Sequence, residues 1–124
     1  MSERKYTRNG EWAAFDGTLW RVGLSASAVE ELGDVTFVDL PKPGKSVLPG
    51  EAVCTIEAVK AATDYYSPLE GVIAGVNSQL ATEPSLLNLN PETDGWIFAL
   101  ENVSSESLEA LMDEKDWKIW ESGR

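Results

Sequence analysis

Lys60 stands between Val59 and Ala61 in the stretch Thr55-Ile56-Glu57-Ala58-Val59-Lys60-Ala61-Ala62-Thr63-Asp64-Tyr65-Tyr66-Ser67-Pro68. Strand-like runs flank Val59-Lys60-Ala61, which predicts a chain reversal there. A hairpin chosen for stability alone would carry Asn-Gly or Asp-Gly at its tip, because the primed turns need positive φ. An aliphatic residue, a lysine and an alanine cost stability in that place. A primary amine projecting from a rigid hairpin between small apolar residues is something a modifying enzyme can grip. It has the form expected of a covalently acylated carrier lysine. The ordinary reading of a lone surface lysine, a solvated residue at a turn, stands beside it.

The rest of the composition narrows the chemistry. The 124 residues contain no histidine and one cysteine, Cys54. That removes the commonest general base, the Ser-His and Cys-His nucleophile pairs, the usual zinc ligand and any thiolate cluster. No catalytic or metal-ligating residue is expected, and the chain reads as a non-enzyme. Paired acids such as Glu30-Glu31 and Asp113-Glu114 have no partner base. Cys54, mid-strand between Val53 and Thr55, reads as a small buried hydrophobe.

Formal charge is −11, which repels phosphate backbones and anionic membrane surfaces. Residues 1–60 carry 7 basic against 9 acidic side chains, and residues 61–124 carry 3 against 12. Neither a nucleic acid nor a membrane is expected as a partner, although acidic patches could steer basic enzyme surfaces. No apolar run approaches the roughly 20 residues that span a bilayer. Met1-Ser2-Glu3-Arg4-Lys5 leads into polar sequence rather than an apolar leader. The lone cysteine suits a reducing compartment, so the expected location is cytoplasmic.

Many short strands between Gly/Pro turns must position Lys60. Strands are predicted over 18–24, 35–40, 52–59, 72–76 and 96–100, with turns at Pro41-Lys42-Pro43-Gly44, Pro49-Gly50 and Pro91-Glu92-Thr93-Asp94-Gly95. Short helices are predicted over 25–33, with Ser25 or Ser27 as N-cap and Gly33 as the stop, and over 82–87 with Pro84 in the first turn. A last helix around 104–112 starts at Ser104 or Ser105 and presents Leu108, Leu111 and Met112. The charges from Met112 to Glu121 read as a solvated face. Trp20 and Trp96 are expected in the core, with Trp117 and Trp120 fastening the C-terminal segment. The fold class is therefore mainly β, a small barrel or sandwich with short appended helices, in one domain over 1–124.

The lysine stretch resembles the lipoylation site of the glycine cleavage system H protein family. That motif reads Glu-Ser-Val-Lys-Ala, then Ser/Thr-Asp, then aromatic-Ser/Ala-Pro. Here Glu57-Ala58-Val59-Lys60-Ala61, Thr63-Asp64 and Tyr66-Ser67-Pro68 stand in those places. The resemblance extends over nearly the whole chain. Gly10-Glu11-Trp12 is similar to the family's N-terminal His-Glu-Trp. Val22-Gly23-Leu24, Leu32-Gly33-Asp34-Val35 and Phe37-Val38-Asp39-Leu40-Pro41 follow in family order, as do Asn77, Leu80, Pro84, Leu86, Asn88 and Gly95-Trp96.

The resemblance implies a barrel-sandwich hybrid of the lipoyl/biotinyl-domain type, with lipoate in amide linkage on Lys60 at the hairpin tip. Glu57, Val59 and Ala61 are then the recognition context. Biotin carriers flank their lysine with Met, where Val59 and Ala61 stand here, and lipoyl domains of 2-oxoacid dehydrogenases usually carry Asp before it, which Val59 argues against. The family implies a carrier of aminomethyl groups and electrons. Its partners are a lipoate-attaching ligase or lipoyl transferase, dihydrolipoamide dehydrogenase, glycine decarboxylase and aminomethyltransferase. It also implies a surface cleft where acidic groups hold the amine of the folded-back arm. The matching positions are Glu11 and Asp64, with Asn9 and Ser67 nearby.

Two positions depart from the pattern. Gly10 replaces the family's His, and Ala58 replaces the Ser before Val-Lys. Both are expected near the path of the folded-back arm. An H-protein-like branch that carries sulfur on lipoate, working with a heterodisulfide-reductase-like complex in bacterial sulfur oxidation, is the alternative reading. Such a carrier needs the lysine but not the amine clamp.

Overall fold

A computed structural model describes residues 4–123. Residues 1–3, which open the segment read above for a leader, and residue 124 lie outside it. Two antiparallel sheets enclose the core. The larger runs β10-β1-β2-β3-β9-β8-β5, and the smaller runs β4-β6-β7. The strands are β1 Arg4–Tyr6, β2 Glu11–Phe15, β3 Trp20–Leu24, β4 Val35–Asp39, β5 Ser46–Val47, β6 Ala52–Ala58, β7 Ala62–Tyr66, β8 Gly71–Val76, β9 Phe98–Glu101 and β10 Met112–Asp113. Helices α1 Ala26–Leu32, α2 Gln79–Thr82, α3 Leu86–Leu89, α4 Ser105–Glu109 and α5 Glu114–Ser122 are appended. No helix among the described residues is long and apolar enough to cross a membrane.

Apolar residues from both sheets fill the space between them. Val22, Leu24, Val38, Val47, Ile56, Ile73, Phe98 and Leu100 are buried in one cluster, joined by Val29 and Leu32 of α1. Cys54 belongs to that cluster, and burial pushes its thiol up to about 12. It is an inert hydrophobe, in agreement with the sequence reading.

A second cluster lies on the outer face of the larger sheet and explains why β1 and β2 escape a pattern reading. Trp12 and Ala14 of β2 point there, against Tyr6 and Trp117, while Ala13 points into the main core. With both faces covered, β2 shows no polar alternation for a period-2 reading to find. The Tyr6 and Trp117 rings stack with centroids 5.1 Å apart and 5° between planes. Trp117 fastens α5 as expected, but Trp120 remains half-exposed, with the Arg8 guanidinium 5.3 Å from its ring centroid. Trp20 and Trp96 are only partly buried, at the edges of the first and second clusters.

Two helix expectations are corrected. The stretch 82–87 does not form one helix: it runs from the end of α2 into α3, and residues 83–85 separate the two. Pro84 lies between them, and Glu83 before it takes φ −130°, outside the helical region, as a residue preceding proline prefers. The segment 104–112 also divides. Ser104 caps α4, accepting from the Ser107 N–H, and α4 ends at Glu109. Met112 then enters β10 and pairs with Tyr6. Asp113 starts α5 by accepting from the Asp116 N–H at 2.8 Å. The charged stretch read as a solvated face is therefore mostly a helix with Trp117 as its one buried anchor.

The other predicted elements lie within one or two residues of those observed. Ser25 caps α1, its hydroxyl accepting from Ala28 N–H, and Gly33 ends it.

Candidate functional site

Lys60 occupies the tip of the β6–β7 hairpin. Glu57 pairs with Ala62 at the last ladder position, and the Ala58 N–H donates to the Ala61 carbonyl at 2.8 Å. Asn102 is the only non-glycine residue with positive φ among those described, so Val59, Lys60 and Ala61 make the reversal without a primed turn. The tip draws support from outside instead. Val59 N–H donates to Asp34 O at 3.0 Å, tying the tip to the segment between α1 and β4. Val59, at 74% exposure, is the most exposed large hydrophobe of the described chain. Glu57 and Ala61 are exposed beside it.

The Lys60 side chain lies against α1. Its Nζ donates to Glu31 O at 3.0 Å. A Cβ at Gly33 would sit 3.0 Å from its Cε, and Gly33 itself adopts φ +85°. Both the backbone and the passing lysine thus favour glycine there.

Asn9, Glu11, Asp64 and Ser67, expected as an arm cleft, come together on the surface. Two depressions of about 200 and 330 Å³ share Asn9, Glu11 and Tyr66. The larger adds Thr63, Asp64 and Tyr65 of β7, and the smaller adds Ser67, Pro68, Ala110 and Leu111 among others. Lys60 is not among the lining residues. Its hairpin supplies β7 as one wall.

Glu11 gives the cleft its chemistry. It is 3% exposed. The Thr7 hydroxyl donates to Oε1 at 2.6 Å, while Oε2 is buried with no hydrogen-bond partner. Desolvation raises its pKa above the usual carboxylate value, and the Thr7 hydroxyl and the Tyr66 backbone pull the other way. A buried acceptor without a donor is costly, so an incoming N–H⁺ group is favoured there. Tyr65 stays a neutral phenol, burial and the Glu11 charge pushing it up to about 12.

The other three residues differ in what they offer. Asp64 is exposed, and its Oδ1 accepts from the Thr55 hydroxyl at 2.7 Å. Asn9 is exposed, with its backbone N–H on Thr7 Oγ1 at 3.2 Å. Ser67 shapes the wall only, since its buried hydroxyl donates to Leu69 O at 2.7 Å. Tyr65 and Tyr66 line the cleft as β7 neighbours of Asp64 and Ser67, and Thr7 joins it through its bond to Glu11 four residues on, whereas Leu111 reaches it from a distant part of the chain.

Gly10 is set by packing. It adopts φ +92°, and a Cβ there would lie 2.9 Å from Ala28 Cβ and 3.1 Å from Ser25 Oγ. Its carbonyl accepts from Ser25 N–H at 2.7 Å. The place a side chain would take from Gly10 is thus against α1.

The sequence profile of the Glycine cleavage H-protein family matches residues 4–121. A glycine cleavage system H protein of Thermotoga maritima is 46% identical over 118 residues, covering 95% of each chain. One from Bartonella tribocorum is 42% identical over 118 residues, covering 95% of this chain and 97% of its own. The crystal structure of a glycine cleavage system H protein from Mycobacterium marinum superposes with a TM-score of 0.84 at 28% identity, covering 96% of each chain. With profile, relatives and fold in agreement over nearly its whole length, the chain belongs to the glycine cleavage H-protein family.

Proposed function

We propose that Lys60 is the lysine that takes lipoate, and that the Glu11 cleft receives the end of the arm when it carries an amine. Membership of the family makes the chain a lipoyl carrier and not a catalyst. The observation that carries the cleft assignment is the unpartnered Glu11 Oε2, 3% exposed with its residue and lining both depressions.

The residues fit the group. Lys60 presents a primary amine on an exposed tip, and the cleft wall begins three residues further along the same hairpin at Thr63. When attached, lipoate supplies a disulfide that can be opened by reduction and closed again by oxidation, exchanging electrons and a one-carbon amine fragment with partner enzymes. The chain's own residues tether, orient and shelter. Tethering turns a bimolecular search into a local one. Glu11 offers a buried acceptor, Asp64 adds an exposed carboxylate, and the Thr7 hydroxyl fixes the Glu11 rotamer. Amide formation at Lys60 removes one positive charge, taking the formal total of −11 one unit lower.

The family implies glycine decarboxylase and aminomethyltransferase as partners. A lipoate-attaching ligase or lipoyl transferase loads the arm, and dihydrolipoamide dehydrogenase reoxidises it. The sulfur-carrying alternative is not favoured, since the relatives named above are glycine cleavage system H proteins. Gly10, one of the two departures that motivated it, has a packing explanation.

The test is exchange of bicarbonate into glycine with a matched glycine decarboxylase. The lipoylated chain should support it and the Lys60→Ala chain should not. Failure of the lipoylated chain, together with sulfur loading of the arm from a sulfur donor and its transferase, would reverse the choice of cargo.

A further inference from the structure

We propose that Asn88 is a positioning residue for lipoylation, holding the segment that holds the lysine hairpin. The inference rests on the assignment of Lys60 as the acylated residue. It starts from the absence of a self-sufficient turn: Val59, Lys60 and Ala61 contain no glycine and no positive φ. The tip's backbone bond to the rest of the chain is Val59 N–H to Asp34 O.

Asp34 lies between Gly33 and Val35, and one side chain grips both. Asn88 Nδ2 donates to Gly33 O at 2.8 Å, and Asn88 Oδ1 accepts from Val35 N–H at 2.9 Å. The amide thus acts as a neighbouring strand would, offering donor and acceptor side by side. It comes from α3, more than 50 residues along the chain. The segment needs such a partner because the β4–β6 ladder is irregular there. Val35 pairs with Ala58 and Phe37 with Glu57, leaving Thr36 bulged.

With its two neighbours held, Asp34 O is aimed at Val59, and Gly33 lies under the Lys60 Cε. Asn88 bonds the peptides on either side of Asp34, while the lysine amine donates elsewhere, to Glu31 O. Its effect passes through two peptide groups, and it lowers the cost of ordering the tip for a modifying enzyme.

The test uses the full unmodified chain, lipoyl-adenylate and a lipoate–protein ligase, with Asn88→Ala and Asn88→Asp. Both variants lose the donor to Gly33 O, and the aspartate keeps an acceptor for Val35. Because the amine itself is intact, KM for the chain should rise about five- to tenfold with kcat little changed, the size expected for loss of one or two hydrogen bonds. Hydrogen exchange at the Val59 amide should accelerate by a similar factor, while the Ile56 and Leu100 amides exchange as in the parent. If Asn88→Ala does not fold, Asn88→Asp carries the same comparison. Unchanged KM and unchanged Val59 exchange in a folded variant would overturn the proposal. So would equal acceleration at Ile56 and Leu100, which would mean general loosening. A parent chain that takes no lipoate at Lys60 would overturn the carrier assignment instead, and the Val59 exchange would still judge the clamp.

Discussion

Lys60 Nζ donates to Glu31 O at 3.0 Å across the C-terminal end of α1, with its Cε passing over Gly33. The last carbonyls of a helix carry partial negative charge, so an ammonium is favourable there. Acylation removes that ammonium, and with it the charge that draws the side chain to α1. Gly33→Ala tests the geometry from the other side. It would force a left-handed φ on an L-residue and set its Cβ against Lys60. The expected loss is about 1–2 kcal/mol in urea unfolding. An unchanged midpoint would contradict the placement of Gly33.

Removing either carboxylate from the cleft should shorten the life of a bound amine cargo. A charge-assisted hydrogen bond at a partly exposed site is worth about 1 kcal/mol, so Glu11→Ala and Asp64→Ala should each raise the rate of amine release several-fold without abolishing it. Glu11 should show the larger effect, because Asp64 is exposed and already accepts from Thr55. Amine-release kinetics on the loaded arm provide the measurement.

The Glu11 shift carries a sign. Burial raises its folded pKa above the ordinary 4.5. Between 4.5 and the raised value the folded chain binds more protons than the unfolded one, so stability falls as pH rises through that window. The contribution is most favourable below 4.5 and fully lost above the folded pKa. Subtracting the Glu11→Gln stability profile from that of the parent should reveal this decline. A difference that rises with pH would contradict the burial of the carboxylate.

Trp117 is the anchor of α5. It stacks on Tyr6 and is 4% exposed. Trp117→Ala should cost about 3 kcal/mol, the usual scale for truncating a buried aromatic. Proteolysis should then release the segment after Asp113 while the β6–β7 hairpin stays protected. Loss of hairpin protection in the same variant would show that the two ends of the molecule are coupled.

The hairpin, the cap at Ser25 and the stop at Gly33 could be read from sequence because each depends on neighbours in the chain. The turn chemistry of Val59-Lys60-Ala61 was informative by being unfavourable, and the structure supplies the missing support from Asp34. The first two strands were not legible, since Trp12 and Ala13 are buried on opposite faces of one strand and leave no alternation. Helix α5 was hidden by its charges, having one buried residue in nine. In the candidate site, Glu11 and Asp64 were found through the family motif. The Asn88 clamp was not legible as a site, because its partners lie more than 50 residues away and no local pattern announces them.

Covalent loading of Lys60 is the central claim, and intact-mass measurement with peptide mapping tests it most directly. The chain made in a lipoate-replete host should gain one lipoyl group, mapping to the peptide that contains Val59-Lys60-Ala61. Lys60→Ala should remain folded and gain nothing. An adduct on Lys42, Lys45 or Lys115, or a biotinyl group at Lys60, would contradict the account.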